Sequence, residues 1–226
     1  MSSLPASRIR SRLRGALLAA ALLAAGAAQA GPPLLCHPFD TGGAASLPWG
    51  DGGWNAPDRR YDTTRLQADT LRLLGDGTPV VARMETLRRA AIYASADGDR
   101  LRALSAALDA RIASAAGPQA RALALFDAGY LSETLQDIAR LQGYDMPGIG
   151  PVDTRAIRAV LARGDGSARI AQALRLRGDD APMRFAAALV ASADQRRADY
   201  AAHARRARAG AAGDRLLALN LGQLAR

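Results

Sequence analysis

Apolar side chains recur every three or four positions along most of the chain. Between residues 78 and 94, for example, Val80, Met84, Leu87 and Ala91 fall on one face at this spacing. A period near 3.6 residues is typical of an amphipathic helix, whereas a half-buried strand alternates every second residue. The pattern therefore predicts an all-α fold.

Capping residues often precede these stretches and glycine often follows them, which are the start and stop signals of helices. They predict about eight helices, and the segment MPGIGP at 146–151 interrupts them. We place the helices at residues 62–75, 78–94, 100–117, 118–142, 153–163, 167–177, 180–208 and 214–226. Because the loops are short, successive helices should be antiparallel neighbours. We expect stacked antiparallel hairpins, arranged as a tetratricopeptide-like solenoid or as an irregular bundle.

One stretch resembles part of a known family. The segment ALFDAGYLSETLQDIA is similar to the first helix of a tetratricopeptide hairpin, over a length of about one helix. The Trp, Leu-Gly, Tyr, Ala and Pro pattern of that repeat does not recur along the chain. The resemblance implies an architecture of helical hairpins and does not extend to membership of the family.

The first thirty residues have the three-part layout of a secretory signal peptide. MSSLPASRIRSRLR carries four arginines and no acidic residue, GALLAAALLAAG is apolar, and Ala28-Gln29-Ala30 fits a cleavage site. The apolar run is too short for a membrane span, and we expect none elsewhere. We therefore predict a signal peptide at residues 1–30 and a bacterial protein that is periplasmic or secreted.

The region after the predicted cleavage site lacks helical periodicity and is rich in Gly, Pro, Asp and Trp. We expect residues 31–60 to form an extended N-terminal strap, and residues 61–226 to form a single helical domain. Four residues of the strap should be buried in a groove between the helices: Leu34, Leu35, Cys36 and Phe39.

The charge pattern gives little support to nucleic-acid binding. The formal net charge is +9, of which four charges belong to the predicted signal peptide, and all thirty basic residues are arginine. These arginines are spread along the chain, whereas nucleic-acid-binding proteins concentrate them on one face or in one run. We expect no nucleic-acid partner.

No standard catalytic or cofactor motif is present in the sequence. The chain has neither the Gly-x-Ser-x-Gly of hydrolases nor a glycine-rich phosphate loop ending in lysine, and its two histidines are His37 and His203. We expect no cofactor. The leading hypothesis is a non-enzymatic protein that binds a protein or peptide partner in the cell envelope.

Cys36 is the single cysteine of the chain, so it cannot form an internal disulfide. Together with His37 and Asp40 it offers a thiolate, an imidazole and a carboxylate, which are ligand types that zinc accepts. A metal or redox protein using Cys36 and His37 is therefore one alternative, although a full ligand set is not visible and we assign no metal site. A dimer linked through Cys36 is a second alternative.

Charged residues interrupt two of the predicted apolar stripes. Asp127 lies inside the stripe of its helix, and Glu85 and Arg88 lie inside one between residues 78 and 94. A buried charge without a partner is strongly unfavourable, so these groups must be paired. Glu85 can reach Arg88 or Arg89 on its own helix, and we expect Arg88 to pair with Asp127 across two helices.

These charges define a third alternative, an enzyme or small-ligand-binding protein with a polar site between helices around Glu85, Arg88 and Asp127. Tyr130 and Glu133 follow Asp127 on the same helix. The candidate ligand-binding residues are therefore Glu85, Arg88, Arg89, Asp127, Tyr130 and Glu133. An open cleft would make them a binding site, and a closed one a structural ion-pair network.

Overall fold

All regular secondary structure in the described part of the chain, residues 33–141 and 149–225 of this computed structural model, is helical. The prediction of an all-α fold is therefore confirmed. The predicted signal peptide, residues 31 and 32 of the predicted strap, and residues 146–148 of the predicted interruption lie outside the described residues.

Nine α-helices follow one another along these described residues, one more than the predicted number. They are α1 (Leu66–Leu73), α2 (Val80–Ala94), α3 (Gly98–Ser114), α4 (Pro118–Arg140), α5 (Thr154–Leu161), α6 (Gly166–Arg177), α7 (Ala181–Ala193), α8 (Arg197–Gly210) and α9 (Arg215–Asn220). Short 3-10 turns lie at Thr63–Arg65, Ala211–Gly213 and Leu221–Ala225.

Aspartate side chains begin five of these helices by accepting a backbone N–H of the first turn. The five caps are Asp97, Asp153, Asp165, Asp180 and Asp214. Such a cap satisfies N–H groups that have no partner within the helix. The predicted cap of α6 was wrong, because Ser167 lies inside the first turn and its hydroxyl donates to Asp165.

The predicted helix at residues 180–208 is two helices, α7 and α8, so that prediction was wrong. Between them Gln195 adopts a positive φ of 59°, and the Arg196 N–H donates to the carbonyl of Ala191 at 2.8 Å. This bond closes a helix C-terminus that usually carries glycine in the left-handed position. Because glutamine stands there instead, the sequence shows no stop signal.

Helix α4 lies at the centre of the described helices and contacts α2, α3, α5, α6 and α7. The most extensive pairings are α4 with α6 and α7 with α8. This arrangement is compatible with a helical bundle. None of the helices in residues 33–141 and 149–225 is long and apolar enough to cross a membrane.

Residues 33–62, called the N-terminal segment below, contain turns and bends and no helix or strand. Four of their apolar side chains, Leu34, Leu35, Phe39 and Leu47, are buried in the core. A buried backbone without secondary structure needs other hydrogen-bond partners for its N–H and C=O groups. Those partners are polar side chains of the helices.

Candidate functional site

The structure separates the predicted site residues into four places. They are a network of Glu85, Arg88 and Arg89, an ion pair at Asp127, an aromatic cluster at Tyr130, and an open cleft at Glu133.

Glu85 lies on α2, where every residue except Arg89 is buried. Its carboxylate accepts two hydrogen bonds from Arg88, both at 2.8 Å, and one from Arg89 at 2.6 Å. It also accepts the backbone N–H of Phe39 at 3.0 Å. Burial acts to raise the pKa of Glu85, but Arg88 and Arg89 outweigh it and lower that pKa, so the group is ionised.

The two arginines of this network also bind the N-terminal segment. Arg88 donates to the carbonyl oxygens of Leu35 at 3.3 Å and Trp54 at 2.9 Å, and Arg89 donates to the carbonyl of Leu47. The guanidinium of Arg88 lies 4.8 Å from the centre of the Trp49 ring, a cation–π distance.

On α4, Asp137 is a further contact to the N-terminal segment. Its carboxylate accepts the backbone N–H of Leu34 at 3.1 Å and a hydrogen bond from Arg140 at 3.0 Å. Burial raises the pKa of Asp137 to about 6. Two helices thus supply the charged groups that satisfy the buried backbone of the segment.

Asp127 pairs with Arg83 and not with Arg88, so the predicted pairing was wrong. The Nη1 atom of Arg83 lies 2.9 and 2.7 Å from the two carboxylate oxygens, and Arg111 adds a contact at 3.2 Å. Arg88 is instead occupied by Glu85.

A sequence signal for Arg83 exists. It lies three residues after Val80 and four before Leu87, inside the apolar stripe of its helix. In the structure it is fully buried, and both Arg83 and Arg111 donate to the carbonyl of Leu74. This ion pair therefore holds the chain at the end of α1.

Tyr130 belongs to the aromatic part of the core. Its ring stacks on Phe126 with centroids 5.6 Å apart and meets Phe39 edge-on at 6.5 Å. The side chain is fully buried, and burial raises its pKa well above the ordinary value.

Cys36, which was expected to be buried, is only partly buried, and it packs against the core. Burial of the thiol and the nearby Asp137 raise the pKa of Cys36 to about 11. The group is a neutral thiol at neutral pH, whereas the thiolate is the nucleophile and metal ligand. Across the described ranges 33–141 and 149–225, no three or more His, Cys, Asp or Glu residues cluster so as to hold a metal ion.

Glu133 lines an open cleft of about 630 Å³, which we call the Glu133 cleft. Its walls come from α4, from the turn between α5 and α6, and from the turn between α7 and α8. Residues on these walls include Glu133, Gln136, Leu161, Asp165, Asp194 and Arg196. The volume lies in the range of small-molecule pockets.

Two facing glycines bring α4 and α6 together beside this cleft. A Cβ atom on Gly129 would lie 2.7 Å from the carbonyl oxygen of Gly166, closer than such atoms approach. A Cβ on Gly166 would lie 2.5 Å from Oε1 of Glu133. Both positions thus require glycine, and the close approach places the Glu133 carboxylate against the first turn of α6.

The Glu133 side chain is unusual in its hydrogen bonding. The residue is 3% exposed, and no donor among the described residues lies within hydrogen-bond distance of its Oε2. Burial raises the pKa of Glu133 to about 7, the carboxylates of Asp194 and Asp165 add to the rise, and the Ser167 N–H opposes it.

The neighbouring charges in the cleft are paired. Asp194 binds Arg140 at 2.5 Å and Arg196 at 3.2 Å, and it accepts a weaker bond from Gln136. Asp165 is occupied by capping α6. Among the carboxylates of Glu133, Asp165 and Asp194, that of Glu133 therefore has an oxygen atom, Oε2, that accepts no hydrogen bond from the described residues.

A second, smaller depression of about 430 Å³ lies beside Tyr61 and Tyr93. The Tyr61 hydroxyl donates to Asp69, and the Tyr93 hydroxyl donates to Pro48 and accepts from the N–H of Asp58. Because its tyrosine hydroxyls are already bonded, it is a weaker candidate than the Glu133 cleft.

No family model matches this chain, and the comparisons with curated proteins and with solved structures give no match.

Sequence reasoning found Glu133 but missed the residues around it. Asp194 and Arg196 lie inside what the pattern predicts as one continuous helix, and the turn that brings them to Glu133 depends on the positive φ of Gln195. Gly129 gave a usable signal, because it lies inside the predicted helix at 118–142 and glycine inside a helix often marks close packing, whereas Gly166 precedes the predicted helix at 167–177.

Proposed function

We propose that this chain is an exported, non-enzymatic helical protein of the bacterial cell envelope, and that it binds a peptide or protein partner in the Glu133 cleft. The observation that carries the proposal is Glu133 itself, which lines an open cleft and whose buried Oε2 lacks a donor within the described residues. Buried polar atoms in folded proteins are nearly always hydrogen-bonded. A bound partner would supply the missing donor.

Export is supported by the sequence of residues 1–30, with its basic start, apolar run and Ala-x-Ala end. An envelope protein meets peptides and proteins of that compartment, and a rigid helical scaffold with an open polar cleft suits their recognition.

The buried networks have a structural role in this proposal. Glu85, Arg88 and Arg89 bind backbone groups of the N-terminal segment, which would act as a strap across the helices. Stacked helical hairpins would provide the surface beneath it. The alternative of an enzyme or small-ligand site around Glu85, Arg88 and Asp127 has less support, because these side chains are fully buried and bonded to protein groups.

Peptide selection tests the proposal. Random peptides displayed on phage would be selected against the exported protein, and their affinities measured by isothermal titration calorimetry. The cleft is blocked by Ala162→Trp, since Ala162 is exposed on its wall. The matched control is Ala106→Trp, at an exposed position on α3 away from the cleft.

We expect selected peptides to bind the wild type and the Ala106→Trp variant equally, and to bind the Ala162→Trp variant at least about tenfold more weakly, a difference of roughly 1.4 kcal/mol. Circular dichroism would show that both variants keep the fold. Equal binding to both variants would place the partner site elsewhere, and selection of no binding peptide would contradict partner binding itself.

A further inference from the structure

We infer that the Glu133 cleft receives a basic side chain of its peptide partner, whose cationic group binds the free carboxylate oxygen of Glu133. This inference rests on the proposed function and specifies the chemistry of the partner.

Geometry gives the first support. Glu133 lines the cleft, and its buried Oε2 has no donor among residues 33–141 and 149–225. The Ser167 N–H and the close contact with Gly166 hold the rest of the carboxylate in place. A fixed carboxylate with one free oxygen is the acceptor that an ammonium or guanidinium group binds by charge-assisted hydrogen bonds.

The charge balance of the walls gives the second support. Glu133, Asp165 and Asp194 carry negative charge, and Arg196 is the positive residue on the walls. Arg196 is held by Asp194 and Asp199 at 3.2 and 2.6 Å. An incoming anion would therefore meet three carboxylates and an arginine that is already paired.

The first turn of α6 also faces this region, and a helix N-terminus by itself attracts anions. Here the Asp165 carboxylate caps that turn, and the Glu133 carboxylate lies against it. Acidic side chains of the protein therefore already occupy the helix N-terminus that would otherwise attract an anion.

The shape and polarity of the cleft fit a long basic side chain. Leu161 and Ala162 form an apolar part of the wall on which the methylene groups of lysine or arginine can lie. Such side chains commonly pack their stems on apolar surface while the charged end finds polar partners.

The ionisation of Glu133 is consistent with this ligand. Burial and the carboxylates of Asp165 and Asp194 raise its pKa to about 7, and Arg140 opposes the rise. A bound cation favours the ionised form and lowers that pKa. Binding should therefore release protons and strengthen as the pH rises through 7.

A peptide pair that differs in one charge tests the inference. A selected peptide that contains arginine would be compared with the same peptide carrying neutral citrulline at that position. Affinities would be measured by calorimetry at pH 6 and pH 8 for the wild type, for Glu133→Gln, and for Asp99→Asn. The last is a control for the loss of one negative charge, because the Asp99 side chain is 96% exposed and lies outside the cleft.

We expect citrulline to weaken binding to the wild type and to Asp99→Asn by about tenfold or more, and to have little effect on Glu133→Gln, with the larger wild-type effect at pH 8. Equal affinities of the two peptides for the wild type, with binding still blocked by Ala162→Trp, would overturn the inference that the cleft receives a basic side chain. The proposed function would remain intact. Binding that Ala162→Trp does not alter would overturn both.

Discussion

Glu133 opposes folding at neutral pH as long as the cleft is empty. Its folded-state pKa is raised to about 7 from an ordinary value of 4.5, so the native state binds the proton more tightly than the unfolded chain. The contribution of the neutral carboxyl is fully present below pH 4.5 and is lost as the pH rises through 7. Groups that destabilise a fold in this way are common at binding sites, where function and stability compete.

The substitution Glu133→Gln should therefore stabilise the protein at pH 8 and leave it nearly unchanged at pH 4.5. The amide keeps the shape of the side chain and removes the charge that is buried at high pH. The gain at pH 8 should be on the order of 3 kcal/mol, because the pKa is raised from 4.5 to about 7 and each pKa unit corresponds to about 1.4 kcal/mol. Urea unfolding at the two pH values measures it, and a gain that is equal at both would contradict the raised pKa.

Individual charged residues show what the sequence can and cannot predict at this scale. Apolar periodicity identifies Glu85, Arg88 and Asp127 as buried charges that need partners, and all three are buried and paired. The predicted pairing of Asp127 with Arg88 was wrong because α2 is buried on nearly all sides. Apolar periodicity therefore did not show which arginine of α2 points toward Asp127. Assigning partners requires the rotation of each helix, which periodicity leaves open when no face is exposed.

Among the elements, the contact between α4 and α6 builds one wall of the cleft. The backbones approach at Gly129 and Gly166, where no side chain fits between them. Because both helices are fixed there, the position of Glu133 one turn after Gly129 follows from the backbone.

The substitution Gly129→Ala should lower stability and disturb the cleft. Overpacking typically costs 1–3 kcal/mol, and it exceeds the gain of up to about 1 kcal/mol that alanine gives in a helix interior. Thermal unfolding followed by circular dichroism tests this. Gly222→Ala serves as the control, since a methyl group there meets no atom within 4 Å. A variant at Gly129 that is as stable as this control would show that the close approach is not required.

The N-terminal segment is held by side chains of other elements. Arg88 donates to two of its carbonyl groups, and Asn220 of α9 both accepts from the Asp40 N–H and donates to the Asp40 carbonyl, each at 2.9 Å. The absence of helical periodicity predicted an irregular region here. Its attachment points were beyond prediction, because they join residues up to 185 positions apart.

The substitution Arg88→Met should release part of this segment. It removes the bonds to Leu35 and Trp54 and leaves Glu85 with less compensation, a change that costs about 3–5 kcal/mol for a buried ion pair. Hydrogen–deuterium exchange should become faster in peptides from residues 33–62. Arg100→Met is the control, because its ion pair with Asp97 is partly exposed, and unchanged exchange in the Arg88 variant would contradict the anchoring role.

For the whole molecule, the helical class of the fold and the approximate positions of most helices were predictable from the sequence. The packing of these helices against one another was not. Capping aspartates and apolar stripes are local signals, and they located most helices to within a few residues. The break at Gln195 has no such signal, because a backbone angle that normally needs glycine is held there by tertiary context. The Glu133 cleft depends on that break. The sequence therefore identified Glu133 as a candidate residue but did not predict the cleft that it lines.

At the scale of the whole molecule, the proposed function requires that the protein be exported, and this proposal can be tested directly. Signal peptidase requires small residues at the first and third positions before the cleavage point, which are Ala30 and Ala28. We therefore expect the protein recovered from the periplasm or medium to begin at Gly31. The substitution Ala30→Leu should block this processing, because a large side chain does not fit at that position, whereas Gln29→Leu, at the intervening position, should be processed normally. Intact mass and N-terminal sequencing distinguish the outcomes. Recovery of the full-length chain from the cytoplasm in all three cases would contradict export, and a peptide partner of the cell envelope would then have no access to Glu133.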